Sequence, residues 1–270
     1  MKSILSLMVM MFWVTVYSQD NFKLYYEETA TGFKILADNE EYSPVSAKID
    51  FRLENLSSTN GTNKVYIIPA KTKRHTITDL NVIDRKKRIR LGYESIYNHG
   101  NHNQKEYDVD FQYYLPFKKN SEYWLSQGYN GAISHKNENA LDFKMPIGTK
   151  IYAARGGVVV DIEESFSKSC TTGECVKYNN FIVIYHADGT FAEYTHIKKD
   201  GAEIHIGDQV TAGQFIGYSG NVGWATGPHL HFIVFLQKLK ERKTLKTKFR
   251  IGNGDQAITL VEKEKYKRTY

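Results

Sequence analysis

The sequence predicts an all-β fold on three observations. From about residue 147 onward, short β-rich runs alternate with glycine turns: Ile147-Gly148-Thr149, Gly156-Gly157-Val158, Phe181 to Tyr185, Ile206 to Val210 and Gly213 to Gly217. No long amphipathic helical pattern competes with them. Upstream, residues Ala47 to Leu56 alternate apolar and polar side chains, the period of a half-buried strand. Several short strands at regular spacing make a sandwich or barrel, with no α/β layering.

Met1-Lys2 and the apolar run from Ile4 to about Val16 are too short for a membrane span and fit a secretory signal peptide over residues 1–18. An uncleaved anchor helix is the alternative. No cysteine follows the run, so a lipoprotein anchor is not indicated, and no other apolar segment is long enough to cross a bilayer. The expectation is a secreted or periplasmic protein with no stable membrane span after cleavage.

Residues 19–115 are expected to form a small β-sandwich-like accessory domain, with strands near Phe22–Glu27, Ala47–Leu56 and Val65–Pro69 and a turn at Ser57–Gly61. Targeting, substrate presentation and inhibition are open roles for it. The stretch Asn98-His99-Gly100-Asn101-His102-Asn103 is either a polar linker or a segment able to reach a metal. Residues 116–240 carry the remaining strands, and 241–270 read as basic strands packed on them. Residues 237–270 hold eleven Lys/Arg against four Asp/Glu in a chain of net charge +6. Such a segment attracts anionic cell-envelope polymers, a better fit to an exported protein than nucleic acid, or is simply a solvated face. Cys170 and Cys175 are expected to pair as a disulfide in an oxidising compartment.

The richest stretch is Gly227-Pro228-His229-Leu230-His231-Phe232. On a strand His229 and His231 look to one side, Leu230 and Phe232 to the other. Upstream stand His135, Asp142 and His196. Two imidazoles and a carboxylate make a three-ligand set that suits zinc and leaves a position open for water, the pattern of a catalytic site. No H-E-x-x-H occurs, which excludes the helix-borne zinc peptidases. An unpaired Asp142 between Leu141 and Phe143 would be costly, so it is a ligand or an ion-pair partner. His186 reads as a hairpin histidine; His75, His99, His102 and His205 read as solvated or structural. Tyr194 either lines the cleft or packs, and Trp224 either walls the substrate or caps the core.

Four blocks, covering roughly residues 125–240, resemble the M23 peptidases, the lysostaphin/LytM-type zinc endopeptidases. They are His135 with Asp142, Met145 to Val159, Tyr194-Thr195-His196, and Ser219 to Phe232. One departure is the spacing: six residues separate His135 from Asp142, where family members often have three. The resemblance implies an antiparallel β-sheet/sandwich peptidase domain in which His135, Asp142 and His231 bind one zinc ion (Zn2+) per chain. It makes His196 and His229 the catalytic pair that exchanges protons during attack of zinc-activated water. It also implies a secreted zinc metalloendopeptidase that hydrolyses peptide stems or cross-links of peptidoglycan.

Other readings remain open. One is a catalytically silent relative that activates another wall hydrolase, although all five site residues are present. Another is an extracellular protease acting on Gly-rich proteins. The run Gly207-Asp208-Gln209-Val210, continuing to Gly217, also resembles swinging-arm carrier domains. A carrier needs a modifiable lysine at a hairpin tip, and Lys144-Met145 precedes a proline on the wrong side of that run.

Overall fold

The computed structural model describes residues 21–270, which divide into two compact units: residues 21–102 with Lys238–Glu241, and Asn103–Gln237 with Arg242–Tyr270. The segment expected to be a signal peptide lies outside the described residues.

The first unit contains β1 (Phe22–Thr29), β2 (Gly32–Asn39), β3 (Val45–Glu54), β4 (Leu56–Ser58), β5 (Asn63–Ile68), β6 (Thr72–Val82) and β7 (Arg90–His99). One sheet has the order β1-β2-β6-β4 and the other β5-β3-β7. Ile35, Ile77 and Leu80 of the first sheet share a hydrophobic cluster with Val45, Ala47 and Ile49 of the second. On β3 the alternation does what the sequence suggests: Ala47, Ile49 and Phe51 are buried and Arg52 is exposed. The strand expected to reach Leu56 stops earlier. Asn55 takes the left-handed conformation (φ 57°), which asparagine tolerates, and Leu56–Ser58 leaves as β4 to pair with β6 of the other sheet. The turn expected over 57–61 therefore starts only after Ser58.

The second unit begins with β8 (Gln112–Tyr113), β9 (Glu122–Gln127), β10 (Ala140–Lys144), β11 (Lys150–Tyr152), β12 (Gly157–Glu163) and β13 (Ser169–Cys170). A short 3-10 helix, Gly173–Tyr178, leads into β14 (Phe181–Tyr185), β15 (Phe191–Thr195), β16 (Ile197–Ala202), β17 (Gln209–Val210), β18 (Phe215–Ser219) and β19 (Gly223–Trp224). β20 (His229–Gln237), β21 (Arg242–Thr244), β22 (Lys248–Ile251), β23 (Gln256–Ile258) and β24 (Lys265–Lys267) complete it. Nine strands form one antiparallel sheet in the order β17-β12-β14-β15-β20-β10-β9-β24, with β21 beside β20. Leu230, Phe232 and Val234 of β20 join Leu141, Phe143 and Tyr194 in the core, which turns His229 and His231 to the opposite face.

Two sequence expectations change here. Ile147-Gly148-Thr149 is a turn, with Gly148 at φ 81° and Ile147 exposed, and the strand begins at Lys150. Residues 103–115, read with the N-terminal region on sequence, lie in the second unit because Tyr113 and Leu115 are buried in its core. Among the described residues no helix is long and apolar enough to cross a membrane. Part of the basic C-terminal segment is structural: Arg268 is buried and donates to Phe117 O, and Arg242 pairs with Glu193.

Candidate active site

The sheet face opposite the core gathers three of the five residues, Asp142, His229 and His231; the turn between β15 and β16 adds His196 and the loop before β10 adds His135. In the β10–β20 ladder Asp142 stands opposite His231 and Lys144 opposite His229, so the carboxylate and both imidazoles share one face. His135 reaches them from the loop between β9 and β10. Its long spacing to Asp142 is taken up locally: Glu138 N–H bonds back to His135 O, and Asn137 is left-handed at φ 62°. The extra residues form a turn and leave the His135 ring beside the carboxylate.

Asp142 Oδ1 lies 2.9 Å from His231 Nδ1, 3.2 Å from His135 Nε2 and 3.7 Å from His229 Nε2. One ligand atom from each of His135, Asp142 and His231 falls within 4.8 Å of the others. Tetrahedral bonds of about 2.0–2.2 Å place ligand atoms roughly 3.3 Å apart, so the cluster matches the spacing a zinc-sized ion imposes. A second observation supports the fit. His135 Nδ1–H donates to Gly128 O, while its Nε2, wholly buried and aimed at the cluster, makes no aligned hydrogen bond. A buried ring nitrogen without an aligned partner is a liability that a coordinated cation removes.

Burial opposes ionisation of Asp142, but the approach of His135 and His231 outweighs it and holds the carboxyl well below the usual carboxylate range. The ligand set thus carries its negative charge at neutral pH.

His196 and His229 lie beside this cluster, their ring centroids 4.5 Å apart. His196 Nδ1–H donates to Val222 O and His229 Nδ1–H donates to Gly227 O; a carbonyl can only accept, so in the neutral form of each ring the proton sits on Nδ1 and the lone pair on Nε2. Burial, with repulsion from His229 and His231, lowers the His196 pKa to about 3, so this ring is neutral through the physiological range. The His196 backbone is left-handed at φ 65°, a conformation uncommon outside glycine. Its N–H bonds Asn180 O, and its carbonyl accepts from Gly220 N–H, where a Cβ would stand 2.7 Å from Lys198 N. That turn breaks the strand period, so Tyr194 does not share the cleft with His196. Tyr194 is fully buried and accepts the Ala154 N–H on its hydroxyl, the packing alternative foreseen for it.

Gln127 is the residue sequence reasoning missed. Its Nε2 donates to Asp142 Oδ2 and to Ser134 Oγ, and its Oε1 accepts from the Ile133 and Ser134 amides. One amide therefore ties the carboxylate to the loop that carries His135. A Cβ on Gly131 would sit 2.4 Å from Gln127 Cγ, so that loop also needs its glycine. A lone glutamine on a strand has no spacing signature; its place depends on the β9–β10 register, which is interrupted by an irregularity between Asp142 and Phe143.

The remaining histidines stand apart. His186 is buried in the β14–β15 hairpin and donates from Nδ1 to Gly156 O. His99 Nδ1 contacts Ser43 Oγ, His102 Nδ1 accepts from Leu239 N–H, and His205 is exposed. Cys170 and Cys175 are disulfide-bonded, as expected. Lys144 lies within a paired strand rather than at a hairpin tip, against the carrier reading.

Residues 136–243 match the model of Peptidase family M23, so Asp142, His196, His229 and His231 fall inside the match and His135 immediately precedes it. An "Uncharacterized metalloprotease" of Buchnera aphidicola subsp. Baizongia pistaciae is 30% identical over 212 residues, 74% of this chain and 53% of that protein. The peptidoglycan DD-endopeptidase ShyA of Vibrio cholerae is 39% identical over 94 residues, 35% of this chain and 19% of that protein. Lysostaphin of Staphylococcus staphylolyticus is 36% identical over 106 residues, 39% of this chain and 19% of that protein. The chain thus spans about half the length of the first relative and about a fifth of the other two. Residues 136–243 of this chain thus match peptidase family M23.

Proposed function

We propose that this protein is an exported zinc endopeptidase that hydrolyses peptide bonds in peptidoglycan. The observation that carries the reading is the convergence of His135 Nε2, Asp142 Oδ1 and His231 Nδ1 beside two further imidazoles whose Nδ1 atoms are tied to carbonyls. The substrate class is taken from relatives named for cutting peptidoglycan, and the export reading is supported by the disulfide.

His135, Asp142 and His231 would hold the ion. A zinc ion there supplies Lewis acidity, lowering the pKa of a water in its coordination sphere to about 7 and polarising a carbonyl. The protein's own residues do the rest. His196, neutral and oriented by Val222 O, presents Nε2 as a proton acceptor. His229, oriented by Gly227 O, presents Nε2 on the same side and completes the pair that moves protons between water and the leaving amine. The core beneath, Leu230, Phe232 and Tyr194, fixes the strands so that these rings do not wander.

The test is incubation of the purified, zinc-loaded full chain with isolated sacculi, followed by mass spectrometry of the soluble products. Newly cut peptide stems or cross-links support the reading and identify the bond. Intact sacculi, with zinc bound to the protein, count against it.

A further inference from the structure

The segment 220–228 supplies both carbonyls that orient the rings, Val222 O for His196 and Gly227 O for His229. Its outer side is bonded to residues 168–179. β13 and β19 run parallel, with Ser169 opposite Gly223 and Cys170 opposite Trp224. Gly223 N–H donates to Lys168 O, Ala225 N–H to Cys170 O, and the Trp224 indole N–H to Thr171 O. Trp224 N–H donates to Asn179 Oδ1, and a Cβ on Gly223 would lie 1.9 Å from that same oxygen. The two segments are therefore fitted to each other at Gly223, immediately after the carbonyl that His196 uses.

Burial holds the 168–179 side at one residue, Cys175, which is 1% exposed. Thr171, Thr172, Gly173, Glu174, Val176 and Lys177 are exposed, and β13 is two residues long. A segment with so little apolar contact opens locally at small cost. The Cys170–Cys175 bond limits its conformations further, because it ties β13 to the buried Cys175 of the 3-10 helix across the exposed residues.

We propose that the Cys170–Cys175 loop is a positioning element for the histidine pair: by fixing residues 168–171 against 223–225, it fixes Val222 O and through it the His196 ring. This inference rests on the hydrolase reading above for its effect on turnover, but its structural half is independent of that reading. The metal ligands lie on β10, β20 and the loop before β10, so the loop acts on turnover and not on metal binding.

The experiment uses the full chain carrying Cys170→Ser and Cys175→Ser together, so that no free thiol remains, beside the unaltered protein. Soluble cross-linked muropeptides prepared from sacculi are the substrate. The expected result is a fall in kcat of about 10–100-fold with KM changed less than about 2-fold, the size seen when an orienting group is lost. Zinc stoichiometry is expected to be unchanged, and the Gly223 and Ala225 amides to exchange hydrogen faster. A second variant, Asn179→Ala, keeps the disulfide but removes the acceptor of Trp224 N–H, and should lower kcat in the same direction. Unchanged exchange at Gly223 and Ala225 in the serine variant overturns the inference, whatever the activity. So does faster exchange with unchanged kcat, or a kcat loss that tracks loss of zinc. If the unaltered protein binds zinc and cuts nothing, the hydrolase reading fails, while the exchange data still decide whether the loop is held by the disulfide.

Discussion

Gln127→Ala removes one side chain and four hydrogen bonds, and its effect on metal affinity can be worked out from the geometry. Two of the bonds matter most. Nε2–H to Asp142 Oδ2, at 2.9 Å, is charge-assisted, and Oε1 holds the Ile133 and Ser134 amides that precede His135. A hydrogen bond to a charged group contributes about 1.5–3 kcal/mol. At about 1.4 kcal/mol per tenfold, that corresponds to roughly 10–100-fold in the zinc Kd, the range found when a partner of a metal ligand is deleted. The assay is competition of the metal-free full chain with a zinc chelator of known affinity. Ser134→Ala provides the control: it removes only the contact between Gln127 Nε2 and Ser134 Oγ, and should shift the Kd by less than about 3-fold. If Gln127→Ala leaves affinity within about 3-fold, or Ser134→Ala weakens it equally, the carboxylate contact is not what organises the ligands.

Three further outcomes follow from the same contacts. His186 is fully buried, and burial lowers its pKa to about 4 from an ordinary value near 6.5. Its folded form binds fewer protons, so its contribution is complete above about pH 6.5 and is lost as pH falls toward 4. That amounts to about 3 kcal/mol, and a His186→Gln variant should show a correspondingly flatter stability between those pH values in urea unfolding. Tyr194→Phe strands the Ala154 N–H in the core; it should cost about 1–3 kcal/mol in the same measurement and leave zinc affinity unchanged. Gly220→Ala puts a Cβ 2.7 Å from Lys198 N and 2.9 Å from His196 O; kcat should drop at least about tenfold with zinc retained, checked by metal analysis and a rate assay together.

How much of this was legible in the sequence depends on the range of the interaction. The alternation in β3 reports burial on a two-residue period, so the core face at Ala47, Ile49 and Phe51 was readable directly. The same logic set His229 and His231 opposite Leu230 and Phe232. What it could not reach was whatever a single backbone dihedral decides. Asn55 ends one strand and sends Leu56 to the other sheet, and left-handed His196 decides between the two readings open for Tyr194, leaving it packed in the core. Asn and His enter the left-handed region more often than most residues, but most of either type do not, so residue type alone does not mark these two positions. Gln127 was invisible for a different reason. Its role exists only through the β9–β10 register and the folded His135 loop, contacts between residues 6 to 15 positions apart that no local pattern encodes. The 168–179 brace on 223–225 is likewise a non-local pairing, read in sequence only as a pair of cysteines able to bond.

We propose a division of labour in which His135, Asp142 and His231 hold the ion and His196 and His229 move protons. The most direct test is metal analysis paired with sacculus digestion for two full-chain variants, His231→Ala and His229→Ala, beside the unaltered protein. His231→Ala is expected to lose both zinc and activity, while His229→Ala keeps about one zinc per chain and releases no new peptides. Loss of zinc in His229→Ala, or cleavage by either variant at the unaltered rate, would contradict this division of labour.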